Sequence, residues 1–282
     1  MKILVLGSRG QLGGEFQRYF TRTKTPFAAA DRRDCDITRK ENITAILGKT
    51  RPDVVINCTA YNLVDDAEDN PALAYAVNAQ ALDFLAHSCR ELHIKLVHYS
   101  TDYVFNGDKT SPYCENDDAC PLNVYGQSKL AGEKHVIEMA DSLLLRVSWL
   151  IGSGRQNFLY KVKNWIEKSD TVRICDDEIS VPTFASSVVE LTDRALKMGL
   201  TGLYHVTNTG EASRYQLVVS YFDAMGIKGK TVVPVGGASF SLKAKRPKYS
   251  VMSNGRIAQA LGVNVPDWNE SLQKYVQGEL RL

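Results

Sequence analysis

Ile3-Leu-Val-Leu6 and the segment that follows it, Gly7-Ser-Arg-Gly10-Gln-Leu-Gly13, decide the fold. A short apolar run that leads into closely spaced glycines is typical of a buried parallel strand and a tight turn. Phe16, Tyr19 and Phe20 then recur at helical spacing. A strand, a glycine turn and a helix in this order can hold a pyrophosphate at the helix N-terminus. The spacing G-x-x-G-x-x-G differs from the commoner G-x-G-x-x-G, and a plain turn is the alternative.

The residues after the glycine turn continue the predicted dinucleotide site. Phe27 to Ala30 predicts a second strand, which ends at Asp31-Arg32-Arg33. A carboxylate about twenty residues past the glycines suits the ribose 2′-hydroxyl of NAD, whereas a neighbouring arginine suits the 2′-phosphate of NADP. Both are present, so the sequence leaves NADPH and NADH open. Asp36 and Ile37 are placed to contact the edge of the adenine ring, and a helix N-cap at Thr38 is a compatible alternative.

A third strand, from Asp53 to Asn57, ends in small and polar residues, Cys58-Thr-Ala-Tyr-Asn62. Small residues here would let the nicotinamide side of a cofactor approach the backbone, although a simple turn is the alternative. The next helix is predicted from Pro71 to Leu92, with Asn78 either buried against the neighbouring loop or exposed. Four acidic residues precede it, and a solvated helix start explains them better than a metal site: Asp65, Asp66, Glu68 and Asp69.

A second stretch carries the predicted chemistry. Lys95 to Tyr99 indicates a buried strand, and Ser100-Thr101-Asp102 follows its carboxyl end, where open α/β sheets bind ligands. Tyr125-Gly-Gln-Ser-Lys129 begins a helix, so its tyrosine and lysine lie on one face. A nearby ammonium favours the phenolate and brings the tyrosine into the range of proton transfer, while Thr101 can offer a hydroxyl to the same carbonyl oxygen. The alternative is an exposed helix face.

Strands and helices alternate five times before residue 149, the fifth strand being Leu143 to Val147. This alternation predicts an α/β fold with a doubly wound parallel sheet, that is, a Rossmann-like domain. We predict a dinucleotide-binding domain over residues 1–149 and a smaller, mainly substrate-binding portion over residues 150–282, from which segments cross back. The elements expected there are helices at 157–166, 184–198 and 215–225, strands at 171–175 and 202–207, and two short terminal helices.

Composition excludes several classes of protein. The chain has 282 residues and a net charge of +2 without a dense basic run, so we expect no nucleic-acid partner. No segment reaches the roughly 18 consecutive apolar residues that span a bilayer, and we expect a cytoplasmic protein that does not enter the membrane. Its six cysteines are scattered without a C-x-x-C pair, which favours reduced thiols over disulfides or a zinc site. A monomer and a homodimer both remain open.

With these residues in place, the chain resembles the extended short-chain dehydrogenase/reductase superfamily, and within it the dTDP-4-dehydrorhamnose reductases. The resemblance covers nearly the whole chain and is far more specific than any single motif. The matching segments are 7–13, 57–68, 98–105, 121–133, 146–149, 157–158, 182–183, 202–205 and 246–247.

The resemblance implies hydride delivery from NADPH or NADH to C4 of a dTDP-linked 4-keto-6-deoxy sugar, giving dTDP-L-rhamnose or a close relative. By the family's pattern Tyr125 donates the proton, Lys129 holds the nicotinamide ribose and lowers the tyrosine's pKa, and Thr101 polarises the carbonyl. Thr101, Asp102 and Trp149 match the sugar side. The cofactor positions that match are Gly7, Gly10, Gln11, Leu12, Gly13, Asp31, Asp36, Ile37, Ala60, Tyr61, Asn62 and Tyr99, together with Tyr125 and Lys129.

The chain departs from the family's pattern at Glu178 and Ser180, where a glutamine and a glycine usually precede Pro182-Thr183. A carboxylate near a dianionic nucleotide sugar is expected to be repulsive, which leaves the exact substrate open. Some relatives bind a divalent ion at a dimer contact; Glu15 is the only matching hint, and no metal is assigned.

Two other functions compete. A nucleotide-sugar epimerase or dehydratase of the same superfamily is the nearest, but a dehydratase needs a second acid after Thr101-Asp102, where this chain has Tyr103. A non-catalytic dinucleotide-binding regulatory subunit is the other. Such a subunit would not need the threonine, tyrosine and lysine together.

Overall fold

The fold is given by a computed structural model that describes residues 1–154 and 157–278. Its strands are β1 (Ile3–Leu6), β2 (Phe27–Ala30), β3 (Val54–Asn57), β4 (Lys95–Thr101), β5 (Ser142–Val147), β6 (Leu150–Ile151), β7 (Thr171–Cys175), β8 (Ile179–Ser180), β9 (Thr183–Phe184), β10 (Gly202–His205), β11 (Ala212–Ser213) and β12 (Thr231–Val235). Its helices are α1 (Gln11–Thr23), α2 (Lys40–Thr50), α3 (Val64–Asp69), α4 (Pro71–Tyr75), α5 (Ala81–Glu91), α6 (Val124–Ile137), α7 (Phe158–Ile166), α8 (Ala185–Lys197), α9 (Arg214–Met225), α10 (Gly255–Leu261) and α11 (Trp268–Val276). Single turns at Ala76–Gln80 (π) and at Asp102–Val104 and Gly237–Ser239 (3₁₀) complete the described elements.

Six parallel strands form the central sheet, in the order β10-β5-β4-β3-β1-β2. The chain runs from β1 outward to β2 and then returns to place β3 on the other side of β1, so the strand order reverses there. In an open α/β sheet this reversal opens a crevice at the carboxyl ends of the strands, where ligands bind. The predicted doubly wound α/β fold is confirmed.

Alternate residues of each strand point to opposite faces, and each face is covered by helices. Ile3 and Val5 face a core made with α1 and α8, whereas Leu4 and Leu6 face a core made with α2, α5 and α6. A hydrogen bond of 2.8 Å from Tyr19 Oη on α1 to an Asp193 carboxyl oxygen on α8 joins the two helices of the first layer.

Segments after residue 149 contribute to both parts of the protein. β10 pairs with β5 at the edge of the central sheet, and α8 packs on α1, so these elements lie with the first part of the chain. A separate core forms among α7, β7, α9 and α11, around Val162, Phe184 and Leu217. The boundary between residues 149 and 150 stays a prediction.

Two local expectations need correction or refinement. The helix predicted from Pro71 to Leu92 is interrupted by the π turn at Ala76–Gln80, within which Asn78 is buried and bonded to the neighbouring loop. The N-cap predicted at Thr38 is wrong, because α2 begins at Lys40 with Arg39 as its N-cap. Thr38 instead donates its backbone N–H and its hydroxyl to Asp36 Oδ1, which closes a turn before the helix. Among the described residues no helix is long and apolar enough to cross a membrane.

Candidate active site

A cleft of 470 Å³ opens at the carboxyl ends of β1, β2, β3 and β4. Most of the predicted cofactor residues line it: Gly7, Gly10, Gln11, Leu12, Asp31, Asp36, Ile37, Ala60, Tyr61, Asn62, Tyr99, Tyr125 and Lys129. Gly13 lies behind the cleft, where a Cβ atom would collide with the Gly7 carbonyl. Thr101, Asp102 and Trp149 lie outside this lining.

The glycine turn leaves a cradle at the N-terminus of α1. Gly7 has a φ of +74°, which the turn from β1 into α1 requires and which only glycine adopts freely. The helix starts at Gln11 without a side-chain cap or an acidic residue in its first turn. Its first amide groups and the positive end of its dipole are therefore available to an anion. Gln11 Oε1 accepts the backbone N–H of Gly152 at 3.0 Å, which fixes the turn against the segment after β6.

Asp31 stands at the end of β2 between two arginines. Arg33 binds it through the backbone N–H at 2.8 Å and through Nη2 at 2.9 Å, and Arg9 Nε lies 2.7 Å from the same carboxyl group. These contacts, led by the hydrogen bonds from Arg33, lower the pKa of Asp31 to about 2. The carboxylate is thus ionised and already engaged, while both guanidinium groups are largely exposed and Arg9 lines the cleft.

The loop after β3 is held in place by the buried Asn78. Its Oδ1 accepts the backbone N–H of Tyr61 at 2.8 Å, and its Nδ2 donates to the Tyr61 carbonyl and to Ser128 Oγ, each at 3.0 Å. The Tyr61 hydroxyl donates to Asp66 at the start of α3. Ala60, Tyr61 and Asn62 therefore present a fixed backbone to the cleft.

Lys129 is fully buried on α6, one turn after Tyr125. Its Nζ donates to the Tyr99 carbonyl at 2.6 Å and lies 3.1 Å from His98 Nε2. Burial lowers the pKa of Lys129 to about 8, and Glu133 acts in the opposite direction. Burial and the lysine charge together hold the pKa of His98 well below its ordinary value, so this imidazole is neutral.

Tyr125 and Thr101 meet at the inner end of the cleft. Burial raises the pKa of Tyr125, and a hydrogen bond with the Thr101 hydroxyl acts in the opposite direction. Lys129 is directed at Tyr99 and His98 and is not among the causes of this shift, so the lowering expected from the lysine is not seen. A protonated phenol next to a hydroxyl can protonate a carbonyl oxygen at neutral pH.

The residues predicted for the sugar side lie on the far side of Tyr125. Asp102 is buried behind Thr101, and its carboxyl group contacts Ser180 and Ser250. Trp149 adopts a φ of +34°, an uncommon conformation for such a bulky residue and one that points to a constrained position. Its ring stacks on the Arg214 guanidinium at 4.2 Å.

Comparisons with known proteins identify the family. The family model described as RmlD substrate binding domain matches residues 1–280. A dTDP-4-dehydrorhamnose reductase of Burkholderia thailandensis is 35% identical over 95% of each chain. The chain belongs to this family. Among solved structures, a dTDP-4-dehydrorhamnose reductase of Clostridium acetobutylicum superimposes with a TM-score of 0.94 at 33% identity, covering 98% of this chain and 99% of that one. The dTDP-4-dehydrorhamnose reductase of Bacillus anthracis, solved in complex with NADP, superimposes with a TM-score of 0.93 at 32% identity. The match covers 97% of this chain and 98% of that one.

In this RmlD-type chain further residues line the cleft. Arg9, which sequence reasoning missed, lies inside the glycine motif itself, so its position was a visible signal that the turn would present a guanidinium. Ser100 was expected at the ligand-binding end of its strand. Its buried Oγ lines the cleft without a hydrogen-bond partner among the described residues, as expected of an atom that a bound ligand completes. Arg32, Cys58 and Thr59 belong to segments that the sequence placed beside the cofactor, and Thr38 was considered only as an N-cap. The lining residues without a sequence signal are Cys35, Val77, Val147 and Leu150.

A second cavity, of 560 Å³, lies under the segment between β12 and Ser250. Its lining includes four basic residues of that segment, Lys243, Lys245, Arg246 and Lys248, as well as Glu178. Arg246 forms a bidentate ion pair with Asp65 of α3, and Lys243 pairs with Asp69 of the same helix. Two of the four acidic residues predicted as a solvated helix start, Asp65 and Asp69, therefore anchor this basic segment.

Metal binding has little support in this RmlD-type chain. Glu15, the one hint in the sequence, pairs with Arg18 at 2.5 Å. Within residues 1–154 and 157–278 no group of three His, Cys, Asp or Glu side chains is arranged to hold an ion.

Proposed function

We propose that this protein reduces the C4 keto group of a dTDP-linked 4-keto-6-deoxy sugar with NADPH or NADH, giving dTDP-L-rhamnose or a close relative. The observation that carries the proposal is that Tyr125 and Lys129, one helical turn apart, both line a glycine-turn cleft, with the Thr101 hydroxyl beside the phenol. Family membership and relatives named dTDP-4-dehydrorhamnose reductase support the same reaction.

The cleft suits a nicotinamide dinucleotide. The α1 N-terminus offers amide groups to a pyrophosphate, the Gly7 turn keeps the backbone open to it, and Ser100 Oγ lacks a partner inside the cleft. The relative from Bacillus anthracis was solved with NADP. When bound, the nicotinamide dinucleotide supplies the hydride for the carbonyl carbon C4 of the sugar.

The chain's own residues then carry the proton. The pKa of Tyr125 is raised by burial, so the phenol stays protonated and can donate its proton to the C4 oxygen as negative charge develops there. The Thr101 hydroxyl, bonded to the same phenol, is placed to donate to that oxygen as a second group. Lys129 is placed to hold the nicotinamide ribose, because its Nζ reaches the floor of the cleft at the Tyr99 carbonyl.

We assign the nucleotide end of the substrate to the second cavity. A diphosphate carries two negative charges, and this cavity is lined by Lys243, Lys245, Arg246 and Lys248 together with Asp108, Asp177 and Glu178. Trp149 offers an aromatic face that can pack on a pyranose. We assign Trp149 and Thr101 to the sugar side of the substrate.

The experiment that tests this proposal offers the purified protein a panel of dTDP-, UDP- and GDP-linked 4-keto sugars with NADPH or NADH and follows the loss of nicotinamide absorbance. We expect stoichiometric oxidation with the dTDP-linked sugar. An epimerase would convert substrate without consuming added NADPH, and a regulatory subunit would consume none with any sugar. Either result would reject the reductase.

A further inference from the structure

Asp102 joins two portions of the protein from a buried position next to Thr101. Its Oδ2 accepts hydrogen bonds from Ser180 Oγ at 3.0 Å and from Ser250 Oγ at 2.6 Å. The three side chains are no more than 2% exposed. Ser180 Oγ also lies 3.4 Å from the Ser250 carbonyl, a longer contact than the one to the carboxyl group. Two hydroxyl hydrogens thus point at one carboxyl oxygen and leave the other to Thr101.

The other oxygen, Oδ1, faces Thr101. Thr101 Oγ1 donates a hydrogen bond of 3.2 Å to it and accepts the backbone N–H of Tyr103 at 3.1 Å. The same hydroxyl also faces the Tyr125 phenol, whose pKa it lowers. A hydroxyl has one hydrogen, so Thr101 donates either back to Asp102 or forward to the phenol and the substrate oxygen beside it.

The protonation of Asp102 decides between these two directions. An ionised carboxylate only accepts, so it draws the Thr101 hydrogen back. Because the two serines fill Oδ2, a proton on the carboxyl group resides on Oδ1 and donates to Thr101 Oγ1. Thr101 Oγ1 then accepts from two donors, the Asp102 carboxyl group and the Tyr103 N–H. Its own hydrogen is left to point toward the phenol and the substrate oxygen.

We propose that Asp102 is a positioning residue which, when protonated, turns the Thr101 hydroxyl toward the substrate carbonyl, and that Ser180 and Ser250 fix the oxygen that carries the proton. This inference rests on the proposed ketone reduction. It gives a role to Ser180, one of the two positions at which the chain departs from the pattern of the dTDP-4-dehydrorhamnose reductases. Reduction is then faster below the pKa of Asp102 than above it.

The surroundings of Asp102 allow such a titration. Burial raises the pKa of Asp102, whereas hydrogen bonds from Ser250, Ser180 and Thr101 stabilise the ionised form and act in the opposite direction. The titratable groups that face it are Tyr125 on α6 and the neighbouring Tyr103. Beyond Tyr103 lie three charged side chains of the C-terminal portion, Glu178, Arg214 and Arg246.

The test removes one serine donor at a time. In Ser180→Ala the ionised carboxylate loses a hydrogen bond, so we expect the pKa of Asp102 to rise by about one unit. The pH at which kcat/KM begins to fall should move up by the same amount, and Ser250→Ala should shift it in the same direction. Ser142→Ala is the matched control, because Ser142 is equally buried and bonds the Val136 carbonyl far from the site.

Asp102→Asn provides the second test. The serines should hold its carbonyl oxygen, which leaves its NH₂ group to donate to Thr101 as the protonated acid does. We expect this variant to lose the Asp102-dependent fall in rate and to stay within about tenfold of the parent kcat at low pH. A collapse of kcat by about a hundredfold or more would show that Asp102 must be ionised, and would overturn the inference.

A direct titration separates this inference from the proposed function. The Asp102 carboxyl group can be followed by ¹³C NMR in the free protein, and its pKa should be higher in Ser180→Ala than in the parent. Ser180→Gly serves the same purpose if the alanine variant does not fold. Equal pKa values in parent and variant would overturn the inference, whereas a parent protein that titrates as expected but reduces no keto sugar would overturn the proposed function.

Discussion

Replacing Lys129 by methionine should change how the stability of the protein depends on pH. Burial lowers the pKa of this lysine from 10.5 to about 8 in the folded state. Between these values the unfolded chain holds more protons than the folded one, so the free energy of unfolding of the parent rises with pH in this range. The methionine variant has no proton to lose there and lacks this contribution.

The magnitude follows from the two pKa values. At about pH 7 the buried ammonium costs the parent about 3 kcal/mol relative to an unshifted lysine. Removing it also leaves the Tyr99 carbonyl and His98 Nε2 without their partner, an opposing loss of about 1–3 kcal/mol. The parent and Lys129→Met should therefore differ little in free energy of unfolding at neutral pH. Between about pH 7 and pH 9.5 the free energy of unfolding of the parent should rise by about 2 kcal/mol relative to that of Lys129→Met.

Urea unfolding at several pH values, followed by circular dichroism, measures this difference. Lys134→Met is the matched control, since Lys134 is an exposed lysine on the same helix, and its difference from the parent should not change with pH. A difference between the parent and Lys129→Met that stays constant from pH 7 to 9.5 would refute the reasoning, because it would mean that the folded state does not disfavour the lysine's charge.

Four further substitutions test the site and its supports. Tyr125→Phe should lower kcat by at least about a hundredfold while the cofactor still binds, since only the proton donor is lost; turnover at the parental rate would reject Tyr125 as the acid. Arg33→Ala should lower kcat/KM for NADPH by about tenfold and leave that for NADH nearly unchanged, as steady-state kinetics with both cofactors would show, because a guanidinium at the end of β2 suits a 2′-phosphate. Asp65→Asn should cost about 1–3 kcal/mol of unfolding free energy in urea titrations, since it leaves the half-buried Arg246 unpaired, whereas Asp69→Asn, which breaks a well exposed pair, should cost less than about 0.5 kcal/mol. Equal losses in the last two variants would contradict the assigned difference in burial.

The sequence predicted what depends on local patterns. β2 was expected from Phe27 to Ala30 and is found there, because a strand bounded by a turn signal leaves little choice of ends. The glycine turn and the i and i+4 pair of α6 were likewise predicted from spacing, whereas the cleft lining as a set was implied by the family resemblance. These features need only one segment or two consecutive segments of chain.

Contacts between distant segments could not be predicted in this way. No local pattern indicates that Ser180 and Ser250 converge on Asp102, or that Lys243 and Arg246 reach the acidic start of α3. The hydrogen-bond partners of Lys129 could not be predicted for a related reason. Helical spacing places it on the same face as Tyr125, but the Tyr99 carbonyl and His98, which belong to the neighbouring strand, decide where its ammonium points.

Glu178 shows how a distant contact changes an argument made from the sequence. As an added carboxylate it was expected to repel a dianionic nucleotide sugar. In the structure its Oε2 lies 3.9 Å from Arg214 Nε, and burial raises the pKa of Glu178 while Arg214 and Arg246 act in the opposite direction. The carboxylate is thus partly offset by two guanidinium groups. The second cavity presents Lys243, Lys245, Arg246 and Lys248 to a diphosphate together with Asp108, Asp177 and Glu178, so the repulsion expected from Glu178 alone is reduced.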